Sequence, residues 1–101
     1  METLMDSASG RYEVTTKSSC YVVDLDREVI MRRPRMGNPE GSLLRRDEEL
    51  VTLLRVLDCT VGRRMILLID LHVAGVPFTT RASTEVLAIE QIPSPGLDVV
   101  R

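Results

Sequence analysis

The sequence predicts an all-β fold, a single small and strongly bent barrel. Three observations carry that expectation. Short runs alternate apolar and polar side chains with a period of two, tight turns such as Ser18-Ser19 and Asp26-Arg27 join them, and glycine brackets the longest apolar run at Gly62 and Gly75. With 101 residues the chain has room for one domain and one core, burying about 65% of its unfolded surface. The barrel domain is expected over residues 11–92, with a flexible N-terminal tail at 1–10 and a C-terminal tail at 93–101.

The apolar run over residues 61–77 is the organising stretch and reads as the central strand. Met65, Leu67, Ile69, Leu71 and Val73 share one face; Ile66 and Leu68 occupy the other before it turns polar at Asp70 and His72. Upstream, Tyr12, Val14 and Thr16 alternate with Glu13, Thr15 and Lys17, the signature of a half-buried strand. Residues 20–25 and 28–33 supply two more strands, completing an antiparallel meander. Residues 34–42 hold Pro34, Gly37, Asn38, Pro39 and Gly41 and form the long loop, since proline removes a ladder donor and glycine tolerates positive φ. Leu43 to Arg46 form a strand stub.

Residues 47–58 carry two competing patterns. Leu50, Leu53, Leu54 and Leu57 have helical spacing behind an Asp47 cap, whereas Val51, Thr52, Val56 and the following Cys59, Thr60 and Val61 have the branched character of a strand. Strand is the reading taken, because strands precede and follow. After the central run, Phe78 to Arg81 form a short strand across the Gly75 turn. Ala82-Ser83-Thr84-Glu85 make a polar corner with one 3₁₀ turn, and residues 86–91 close the barrel.

A chain of short strands, a long loop and a Ser/Thr corner before the last strand resembles the SH3-like barrels. Thr15-Thr16-Lys17-Ser18-Ser19, Tyr21 to Asp26, Cys59-Thr60-Val61-Gly62 and Thr79 to Val86 resemble small uncharacterised SH3-like β-barrel proteins of actinobacteria and their phages. That resemblance spans residues 11–92 and implies a barrel; it implies no particular activity, because small barrels host many.

The net charge of −2 excludes a generally basic protein, so contact with nucleic acid or an acidic membrane would need a local patch. The first residues lack the basic and apolar regions of a secretory signal, and the central run is too short for a bilayer and contains Asp70 and His72. A cytoplasmic protein without membrane contact is expected, with Cys20 and Cys59 as free thiols. Two distant cysteines and a single histidine give no zinc-ligand spacing, so no metal and no cofactor are expected.

No catalytic residue is assigned. One histidine without a nucleophile elbow does not make a hydrolase triad, and Asp70 beside His72 reads as a surface polar pair. Asp24 and Asp26 read as solvated turn-formers, and Gly37 and Gly41 lack the strand-to-helix setting of a phosphate loop. The patch with charge identity is Arg32, Arg33 and Arg35, with Arg45 and Arg46 across the same loop; guanidinium forks suit phosphate or carboxylate. Apolar residues on both faces of several strands call for a second cover, which selects Ile66, Leu68, Leu53 and Leu87 as an oligomer interface. The leading expectation is therefore a non-enzymatic, homo-oligomeric interaction module binding a protein or a small anionic partner. The alternative is a nucleotide or nucleic-acid binder using the arginine loop.

Overall fold

A computed structural model describes residues 1–34 and 50–93. Six antiparallel strands run in chain order and close into a ring: β1 (Arg11–Thr16), β2 (Ser19–Asp24), β3 (Val29–Pro34), β4 (Val51–Asp58), β5 (Arg64–Asp70) and β6 (Thr79–Ile92). The described residues contain no helix, hence none long and apolar enough to cross a membrane. The all-β barrel is thus the fold that the alternating runs specify. The predicted 34–42 loop, the 43–46 stub and the C-terminal tail beyond Pro93 lie outside the described residues, Pro34 alone excepted, as it ends β3.

Each strand forms where alternation and turn chemistry agree. In β1, Tyr12, Val14 and Thr16 are buried and the residues between them are half-buried. The Lys17–Ser18 turn is braced by the Thr16 hydroxyl, which accepts from Ser19 N at 3.0 Å and donates to Ser19 O at 3.1 Å. Between β2 and β3, the Asp24 carboxylate accepts from Arg27 N at 3.0 Å, an Asx turn that ends the strand. In β5, Met65, Leu67 and Ile69 point inward and are almost wholly buried. They join Val14, Val23, Ile30, Leu53, Val86 and Ile89 in one core.

Val51–Asp58 form a strand, so the helical reading of the leucine spacing fails. The β4–β5 ladder slips twice: Leu53 faces Ile69 and Arg55 faces Leu68, then Val56 faces Leu67 and Asp58 faces Ile66. Leu54 and Leu57 are the extra residues of two β-bulges. Inward positions become Val51, Leu53, Val56 and Cys59, an uneven spacing that imitates a helical period.

The 3₁₀ corner expected at residues 82–85 is absent; these residues continue one 14-residue strand. Its first half pairs with β5 and its second with β1, so β6 bends across the barrel and joins the last strand to the first. The ladder shifts register between Arg64 and Ile66. There the buried Ser83 hydroxyl takes the Met65 amide at 3.0 Å and donates to Thr84 O at 2.6 Å. A hydroxyl at this position serves the interior of a bent strand rather than a polar turn.

The first residues, expected as a loose tail, lie against the barrel. Leu4 is buried in the core, its amide donates to Cys59 O at 2.9 Å, and Glu2 O accepts from Val61 N at 2.8 Å. Gly10 lets the chain enter β1: its φ is +105°, and a Cβ there would approach the Tyr12 hydroxyl to 2.8 Å.

Candidate functional site

The structure separates the arginines that the sequence groups. Arg32 and Arg33 are neighbours on β3, so alternation sends them to opposite sides of the sheet. Arg33 is exposed, and its charge is felt by the Cys20 thiol on the adjacent strand. Arg32 follows Ile30 on the inward-facing side and is half-buried at the mouth of the barrel. Arg35, Arg45 and Arg46 lie outside the described residues. What joins Arg32 instead is Arg81 of β6 and Arg64 of β5, around a cleft of about 380 Å³. No pattern along the chain connects these three; only ring closure does.

The interface residues also divide. Ile66 and Leu68 lie half-buried on the outer side of β5. Leu53 is a core residue, 4% exposed, and contributes nothing to an outer surface; the bulge places its neighbour Leu54 there instead. Leu57, the extra residue of the second bulge, is likewise exposed. Leu87 is exposed but sits where β6 runs beside β1, outside the β4–β5 ladder. It is the extra residue of a further bulge, between Val86 facing Thr16 and Ala88 facing Thr15. All the exposed large hydrophobics within described strands, Leu54, Leu57 and Leu87, are therefore bulge residues. A groove of about 240 Å³ separates the N-terminal segment from β4, floored by Leu4, Leu25, Leu53 and Val56, and Leu54 forms part of its wall.

Asp70, His72 and Thr52 have the connectivity of a triad but the surroundings of a loop brace. Thr52 Oγ1 lies 3.0 Å from His72 Nε2, while His72 Nδ1 lies 3.6 Å from Asp70 Oδ2. The other Asp70 oxygen accepts from the His72 amide at 2.7 Å, and His72 adopts φ +58°. The imidazole is largely exposed, and none of the three lines the clefts described above. Water is not excluded, so the set lacks what a general base needs to work on a bound substrate. Asp24 and Asp26 are spent on turns, the latter accepting from Gly10 N at 3.1 Å. Among the described residues no cluster of ligating side chains is able to hold a metal ion.

Both cysteines are free thiols. Burial pushes the Cys59 thiol up to about 12, with the Asp58 carboxylate adding to the effect. Burial and the Glu13 carboxylate, which accepts from Sγ at 3.4 Å, push Cys20 up to about 11. Neither is poised as a thiolate nucleophile. Of the aromatic rings, Tyr12 and Tyr21 are buried and Phe78 is exposed on the β5–β6 connection, which leaves no row of stacking surfaces for bases. Comparison with protein-family models, curated proteins and solved structures finds no match for this chain.

Proposed function

We propose that this protein is a non-enzymatic interaction module, a small barrel of the SH3-like kind that pairs with a second copy of itself through the outer face of β4 and β5. The observation that carries the reading is the apolar surface made by Leu54 and Leu57, displaced outward by their bulges next to Arg55 and Asp58, the register partners of Leu68 and Ile66. A wet sheet face normally alternates to polar, and bulges tend to mark places where a side chain has been re-aimed. The same face carries exposed Arg55 and half-buried Asp58 and Asp70 along its length. A two-fold contact places the same apolar patch of both copies face to face.

Magnitude sets the kind of association. Full burial of one such side chain contributes about 1.5–3 kcal/mol; Leu54 and Leu57 are already roughly half covered, and Ile66 and Leu68 more so. Eight of them in a symmetric dimer give on the order of 3–10 kcal/mol, within an association cost of about 4–15 kcal/mol. The dimer is then weak and concentration-dependent. Light scattering on size-exclusion peaks over a wide concentration range tests it: mass should rise toward two chains, and the double variant Leu54→Ser, Leu57→Ser should remain monomeric. A wild-type protein that stays monomeric at its highest soluble concentration would remove this reading.

A further inference from the structure

We infer that the mouth of the barrel is a binding site for a small phosphate-bearing ligand, held by Arg32, Arg64 and Arg81. This goes beyond the self-pairing reading and uses a different surface. The three arginines come from β3, β5 and β6 and line one cleft of about 380 Å³, a volume within the range of small-ligand pockets. Arg32 and Arg81 also flank the apolar floor formed by Tyr21, Ile30 and Leu67. Both occupy inward-facing register positions, Arg32 beyond Ile30 and Arg81 before Ser83, and both are half-buried. Such positions in a small barrel ordinarily carry apolar residues.

The electrostatics of the cleft run against those of the chain. The protein carries a net charge of −2, yet no described residue lining the cleft is acidic. Glu85, the register partner of Arg64, is 3.4 Å from Lys17. Neither Arg64 nor Arg81 has a carboxylate within ion-pair distance among the described residues. The like charges of Arg64 and Arg81, brought to one concave, partly desolvated surface, repel one another and lower the cost of admitting an anion. Hydroxyl groups complete the donor set. Thr80 lines the cleft, and Ser18 Oγ and Thr84 Oγ1 lie 3.1 Å apart at its edge.

The donor set selects the class of ligand. Guanidinium groups arriving from three strands, with hydroxyls between them, suit a multiply charged group offering several oxygens in three dimensions, as phosphate and diphosphate do. A single carboxylate has only two oxygens in one plane. A nucleic-acid strand is disfavoured because the ring at the cleft, Tyr21, is 5% exposed and offers no stacking face.

Calorimetric titration of the full chain with pyrophosphate at low salt is the test, with inorganic phosphate, a nucleoside monophosphate and a single-stranded oligonucleotide as further arms. Pyrophosphate should bind, and added salt should weaken it. Arg81→Ala and Arg64→Ala should each weaken binding by at least about tenfold, while Arg27→Ala, an equal change of charge at the exposed β2–β3 turn, should alter it less than about twofold. Arg64 is exposed at the rim, so an unchanged thermal melt for Arg64→Ala separates lost binding from lost fold. Preference for phosphate alone over the nucleotide assigns the site to a free anion, and the reverse to a phosphorylated small molecule. Equal losses in all three variants, no binding at low salt, or tighter binding of the oligonucleotide than of any small phosphate overturns the assignment.

Discussion

β4 and β5 are partners in one hairpin and similarly apolar, but they dispose of their side chains differently. β5 alternates without a fault: Met65, Leu67 and Ile69 go inward, and Ile66 and Leu68 stay at the surface. β4 alternates only through Leu53, after which two bulges carry Leu54 and Leu57 outward and keep Val56 against the core. Hydrophobicity does not decide which side of this barrel a residue faces; register does. The same holds in β6, where Leu87 is turned out by a slip against β1. A bulge adds curvature that a six-strand ring requires, and here each leucine at such a position becomes surface.

The contrast can be broken most forcefully by truncating a leucine on each strand. Leu67→Ala, in the core at 1% exposure, should cost about 2–5 kcal/mol of unfolding free energy. Leu57→Ala, on a bulge, should change the monomer by less than about 0.5 kcal/mol. Urea denaturation at low protein concentration measures both, and equal losses would mean that Leu57 is not a surface residue.

A smaller effect separates the leucine bulges from the register shift on the other flank of β5, where a hydroxyl serves the backbone. Ser83→Ala removes the acceptor of the buried Met65 amide and should cost about 1–3 kcal/mol, with amide exchange at Met65 accelerating in step.

Cys59, just beyond the bulged end of β4, sharpens the comparison through pH. Its folded pKa of about 12 stands above the ordinary value near 9, so the unfolded chain releases that proton first. The resulting stabilisation is whole below pH 9 and is lost as pH rises toward 12, and Cys20 acts in the same sense up to about 11. Thiol titration at pH 8 should find Cys59 silent until denaturant is added and Cys20 reacting slowly; a fast native Cys59 would contradict its burial. Least affected should be the loop that leaves β5. His72→Ala removes an exposed brace and should shift stability by no more than about 0.5 kcal/mol.

Most of the fold was legible along the chain because its cues are local. Tyr12, Val14 and Thr16 alternate, Asp24 to Arg27 close a turn, and Gly62 and Gly75 bound the central run. The failures within strands share one cause, which is that a bulge is a property of two strands rather than one. With Leu54 and Leu57 each inserted against β5, the inward residues of β4 fall two and then three apart, and the leucines acquire a helical spacing they do not use. Ser83 looked like a corner residue because its partner amide on β5 is far away in sequence. Leu4, in a short segment with no alternation, gave no periodic signal that it would meet Cys59. Of the arginines lining the cleft only Arg32 belonged to the patch read from the sequence; Arg64 and Arg81 reach it only through the ring, and Arg33 leaves it by alternation.

Ring closure by β1 and β6 also fixes an order of events during synthesis. β1 spans residues 11–16 and its second partner ends at residue 92, so one edge of the first strand waits for most of the chain to be made. At ordinary translation rates that delay is on the order of 4–15 s. Until then any β1–β2 pairing leaves the other edge of β1 with unpaired amides and carbonyls beside Tyr12 and Val14, an edge that neighbouring nascent chains on a polysome share. The slowest partner to arrive is thus the one that ends the exposure, and substitutions that delay β6, rather than those that weaken β1, should govern how much of the protein reaches the soluble ring.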